Sequence, residues 1–109
     1  MDQFRYLLAD YIDTFNRATK AEKVKMIETF PFPNLKKSRD KAYVAALVEE
    51  LCVRSKLRIP DWVEDKNLFL KEPFFVGDLE SLKSFLLVES PVSFRRRNIF
   101  VSNNVLNRV

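Results

Sequence analysis

Histidine is absent from this 109-residue chain. The commonest general base and the commonest metal ligand are therefore missing. There is one cysteine, Cys52, so no intrachain disulfide framework supports the fold, which suits a reducing compartment. There is one glycine, Gly77, so few positive-φ turns are available and hairpin-rich β architectures are disfavoured. A Cys pair for zinc, a Gly-rich phosphate loop and a nucleophile elbow are lacking too. No apolar run approaches the length of a bilayer span. The opening "MDQFRYLLADYID" lacks the charged, then apolar, then small-residue order of a signal peptide. The expectation is a soluble cytoplasmic protein with no cofactor, no metal and no membrane contact.

What the chain does contain is apolar mass. Hydrophobic residues make up 47% of it and ten residues are Phe, which is too apolar for a disordered chain. The length fits one domain, residues 1–109, able to bury a real core.

Helical spacing dominates the pattern. Phe4, Leu7, Leu8, Tyr11, Ile12 and Phe15 fall on one face of a helix over 4–18. Thr19 followed by Glu22 has capping-box spacing, and Val24, Ile27 and Phe30 would face inward from the next helix. Pro31 and Pro33 break it. Ser38 or Asp40 could cap a third helix over about 40–57, apolar on most of its circumference and so expected at the centre. Asp61 or Pro60 opens a short turn through Trp62 and Val63. A fourth long helix is expected from Asp78 as N-cap, and Ser90-Pro91 is a favoured opening for a short helix "PVSFRRR". "NIFV" is β-prone, and Ser102 could cap a last turn. The fold class predicted is all-α, a single compact domain of about five to six helices.

Catalysis has little to stand on. Glu49 and Glu50 are neighbours, as are Glu64 and Asp65, and Asp78 and Glu80 form a third acidic pair. Adjacent helical residues point about 100° apart, so Glu49 and Glu50 do not converge as an acid/base pair. These carboxylates read as solvated surface charge, and the protein as a non-enzyme.

The positive charge is unevenly placed. Residues 90–109 hold Arg95, Arg96, Arg97 and Arg108 and no acid, while the rest of the chain is balanced. All of the net charge of +4 therefore sits at this end. If 91–97 is helical and packs through Val92 and Phe94, three consecutive arginines cannot share one face. One must lie near the packed side, paired with a carboxylate such as Glu49, Glu50 or Asp61. Arg96 is the arginine expected in that structural latch, with Phe94 and Trp62. Arg95 and Arg97 are left to face a phosphate or an acidic partner, alongside Phe74 and Phe75. Trp62 reads either as an interface anchor or as a seal over the loop region. Phe74 and Phe75, being neighbours, cannot both point inward on regular structure.

The segments "IPDWVED" (59–65), "FLKEPFF" (69–75) and "LESLKSFLLVESPVSFRRRNIFVS" (79–102) together resemble a family of small bacterial proteins. Related segments occur alone or behind a helix-turn-helix domain in bacterial regulators. The matching positions are Trp62, Phe69, Leu70, the pair Phe74-Phe75, Glu89-Ser90-Pro91, Phe94 to Arg97, and Ile99-Phe100. The likeness covers about residues 57–109. It implies an antitoxin-like partner of nucleotidyltransferase-type toxins, acting by occlusion of the toxin's nucleotide or RNA site. A helix-turn-helix is not visible in this chain, so autoregulation by direct DNA binding is not expected. The alternative is a nucleic-acid-associated accessory protein using the basic C-terminal end.

Overall fold

The computed structural model describes residues 2–75 and 90–101, and its architecture there is helix-dominated. Four α-helices are present among the described residues: α1 (Asp2–Arg17), α2 (Lys20–Ile27), α3 (Ser38–Ser55) and α4 (Val92–Arg95). Two 3-10 turns, Asp61–Glu64 and Lys66–Leu68, stand between α3 and α4. That is fewer than the five to six helices expected. The helix predicted from Asp78 and the turn after Ser102 lie outside the described residues. No helix among those described is long and apolar enough to cross a membrane.

Local signals explain most of the helix ends. The capping box forms: Glu22 N–H donates to Thr19 Oγ1 (3.2 Å), and Thr19 N–H donates to Glu22 Oε1 (2.8 Å). The cap of α3 differs from expectation. Lys37 is the N-cap and Ser38 is already helical, with no side-chain cap bond. On α1, Tyr11, Ile12 and Phe15 are buried as the spacing requires, and Phe4 and Leu8 pack against the core. Leu7, at the same face's edge, is exposed. Val24 is exposed as well, against expectation, and α2 reaches the core through Met26 and Ile27.

α3 carries the longest buried run, with Ala42 and every residue from Val44 to Cys52 inside. It packs against α4 and against both 3-10 turns. It stops at Lys56, which is left-handed (φ 57°), and Leu57 N–H then donates to Cys52 O (2.9 Å). This is the αL helix ending that glycine normally supplies, here made by a residue with a Cβ. Lys56→Gly is expected to raise stability by about 0.5–1 kcal/mol, read as a higher urea midpoint with an unchanged slope.

The predicted β character of "NIFV" takes the form of a two-residue strand. β1 (Phe74–Phe75) pairs in parallel with β2 (Ile99–Phe100), with Phe74 opposite Ile99 and Phe75 opposite Phe100. The two phenylalanines of β1 part company because side chains alternate along a strand. Phe75 stacks on Phe100 (5.0 Å, 24°), while Phe74 packs against the core. Just before β2, Asn98 is left-handed (φ 66°), a conformation its short polar side chain tolerates.

Candidate functional site

The arginine run is where charge, burial and three chain segments meet. Pro91 is the N-cap of α4, and its carbonyl accepts from the amides of Phe94 and Arg95 (3.0 Å each). Ser90 was expected to cap it. Instead its hydroxyl donates to Val101 O (2.9 Å) and accepts from Val101 N–H (2.8 Å), tying the two ends of the 90–101 segment together. Inside that tie, Phe94 is fully buried, edge-on to Tyr43 of α3 (5.2 Å).

The three arginines part three ways. Arg95 is exposed. Arg96 is about a third exposed and bridges two carboxylates, Glu49 of α3 (3.1 Å) and Glu64 of the first 3-10 turn. Those hydrogen bonds, Glu64's foremost, hold its guanidinium above the ordinary value. Arg97 is 0% exposed and is the buried member. Its Nη1 donates to Glu49 Oε1 (2.7 Å) and to Ser93 O (2.7 Å), and its Nη2 donates to Val63 O (2.7 Å). The expectation for Arg97 is therefore corrected: a side chain with no exposed surface does not form a partner contact. Arg96 does pair with a carboxylate, but the arginine that enters the core is the next one along.

Burial pushes the Arg97 guanidinium below its ordinary value, and the bonds to Glu49 oppose that shift. Guanidinium stays charged regardless, so the pair is a buried ion pair. Three of its five N–H donors are used, two on Nη1 and one on Nη2, and of its three nitrogens Nε is the one with no acceptor. The guanidinium lies 4.7 Å from the centre of the Phe69 ring, and that of Arg96 lies 5.3 Å from the same ring. Such cation–π contacts, strengthened where water is excluded, offset part of the missing bond.

Glu49 and Glu50 were read as solvated, and both are buried, at 5% and 9% exposure. Their divergence holds. Glu49 serves Arg96 and Arg97, whereas Glu50 accepts from Ser93 Oγ (2.9 Å) and Arg54 Nε (2.8 Å). Each oxygen meets a donor, as buried carboxylates require. Ser93, Asn98 and Phe69 belong to this unit and were not singled out from the sequence for these roles. Asn98 Nδ2 donates to Leu70 O (2.9 Å), Leu70 N–H donates to Arg97 O (3.2 Å), and Phe74 N–H donates to Asn98 O (2.8 Å). The signal available was the pair of acids inside "AALVEELCV", since two carboxylates in a buried helix need cations from elsewhere.

The remaining candidates serve the interior as well as the surface. Trp62 is half-buried; its indole N–H donates to Ile27 O (2.8 Å), and its ring meets Phe30 edge-on (5.6 Å). Phe74 and Phe75 are both half-buried. Cys52 is buried, and loss of solvent, followed by the nearby Glu49 charge, pushes its thiol up to about 11. It is protonated at neutral pH and so a poor nucleophile. Among the described residues no group of three or more Cys, Asp or Glu is placed to hold a metal ion. Comparison with known proteins finds no matching family model, no matching curated relative and no matching solved structure.

Proposed function

We propose that this chain is a non-enzymatic protein-binding module, an antitoxin-like partner that docks on a nucleotidyltransferase-type toxin and occludes its nucleotide or RNA site. In this reading residues 1–109 form one cytoplasmic domain with α3 as its central apolar helix. The observation that supports it is the two-sided character of α4. Ser93 and Phe94 face inward, and Arg97 just beyond them anchors the segment to Glu49. Val92 is 63% exposed and Arg95 is exposed three residues later, so both lie on the outer side. Arginine is among the residues that interface hot spots favour, and Val92 places exposed apolar area beside it. Phe75, half-buried on β1, extends the contact residues to be tested.

Two further features favour binding over chemistry. The carboxylates of α3 diverge and are consumed by arginines and Ser93, and the thiol is protonated. Arg96 and Arg97 are likewise consumed, which leaves the nucleic-acid alternative with less free charge at this end.

The test is co-expression with the product of the neighbouring gene. The expected result is a copurifying complex and rescued growth. Arg95→Glu and Val92→Asp should each weaken the complex at least tenfold while the free protein's melting temperature stays unchanged. Absence of both complex and rescue overturns the reading. Steeply salt-dependent RNA binding lost in Arg95→Glu would support the nucleic-acid alternative in its place.

A further inference from the structure

A cleft of about 470 Å³ opens between the first turn of α3 and the segment leading into β1. Leu70, Pro73 and Phe74 supply apolar lining, and Arg39, Lys71 and Glu72 supply charge. Residues 36–41 read KKSRDK, four cations to one acid. Lys36, Lys37, Arg39 and Lys71 are all exposed. Neither Arg39 nor Lys71 enters an ion pair among the described residues. The accessible positive charge is thus placed otherwise than the net count suggests. Two of the C-terminal arginines are neutralised by Glu49 and Glu64, whereas the cations of this cleft are open to solvent.

Geometry narrows what could sit there. The Arg39 guanidinium lies 4.6 Å from the centre of the Phe74 ring, which holds the charge at the cleft wall. Phe74 also packs against the core. Arg39 thereby competes for the ring face that a nucleobase would stack on, the main source of sequence-tolerant affinity for single strands. Glu72 in the same wall is an acceptor that a peptide's backbone N–H groups can meet. Two cations above an apolar floor match a peptide that alternates carboxylates with aliphatic side chains.

We propose that this cleft docks an acidic, leucine-containing segment of a partner protein, with carboxylates on Arg39 and Lys71 and an aliphatic side chain against Leu70 and Pro73. The proposal rests on the reading of the chain as a protein-binding module and adds the chemistry of the partner. The probe is a blocked Glu-Leu-Asp-Leu-Glu peptide titrated into ¹⁵N-labelled full-length protein. Its Gln/Asn counterpart and an oligouridine serve as comparators. Amide shifts confined to residues 38–41 and 70–74 are expected. Affinity should fall at least tenfold in Arg39→Glu and Lys71→Glu at unchanged melting temperature, and should fall likewise at high salt. Shifts centred on Val92 and Arg95, no shift at the cleft, or cleft shifts with oligouridine but not the peptide would each overturn it. Peptide binding at the cleft without any toxin complex would support the cleft and sink only the toxin assignment. A toxin complex indifferent to Arg39→Glu, in a protein whose cleft ignores the peptide, would sink only the cleft.

Discussion

Glu49→Ala is expected to cost about 3–5 kcal/mol, the usual penalty for leaving one member of a buried ion pair without its partner. Arg97 has no exposed surface, so water cannot replace the lost carboxylate without opening the structure. Domains of this size are stable by about 5–15 kcal/mol in all, so the single substitution removes a large share. Arg96 keeps Glu64, and Glu50 keeps Ser93 and Arg54, so the loss is concentrated on Arg97. The control is Glu49→Leu combined with Arg97→Met. Removing both charges leaves no unpaired ion, though the Ser93 and Val63 carbonyls lose their donor, so the pair should recover part of the loss. Urea unfolding followed by circular dichroism reads both. A cost below about 1 kcal/mol for Glu49→Ala would mean that Arg97 is hydrated, which contradicts the latch.

Phe94→Ala is the second large effect, at about 3–5 kcal/mol. The ring is fully enclosed, and its edge-on contact with Tyr43 adds to the area it buries. The damage should not be confined to the cavity. Phe94 seats α4, and α4 positions Ser93 and Arg97 toward Glu50 and Glu49. Amide exchange at Ile99, Phe100 and Val101 should therefore accelerate together, because the strand pair and the Ser90–Val101 tie depend on the same seating. Phe94→Leu, which retains most of the volume, should cost less than half as much. Equal losses for Ala and Leu would show that packing at this site does not hold the segment.

The parts of this fold legible in the sequence are those governed by near neighbours. α1 follows from its spacing, the start of α2 from Thr19 and Glu22, and the breaks from Pro31 and Pro33; a short helix after Pro91 was also expected, but its cap is Pro91 and not Ser90. The identity of the buried arginine was not legible, for a specific reason. A helical wheel over 91–97 assumes that the helix continues, but α4 ends at Arg95. The turn that follows closes on left-handed Asn98, and Arg97 enters the core from that turn. Its direction obeys turn geometry, which the wheel does not describe. The burial of Glu49 and Glu50 was hidden by distance: their partners Arg97 and Ser93 lie 48 and 43 residues further along.

That separation has a consequence in time as well as in space. At about 5–20 residues per second of synthesis, roughly 2–10 s pass between the appearance of Glu49 and that of Arg97. Through that interval α3 has no cation from α4 or its turn to neutralise it. Its run Val44–Cys52 is apolar except for Glu49 and Glu50. While the chain is unfinished, these two hydrated charges interrupt a stretch that would otherwise be prone to stick to other nascent chains, the role of gatekeeper residues. Arrival of Ser93 and Arg97 converts them from solubilising groups into buried ones, so the step that completes the core also withdraws the protection it no longer needs.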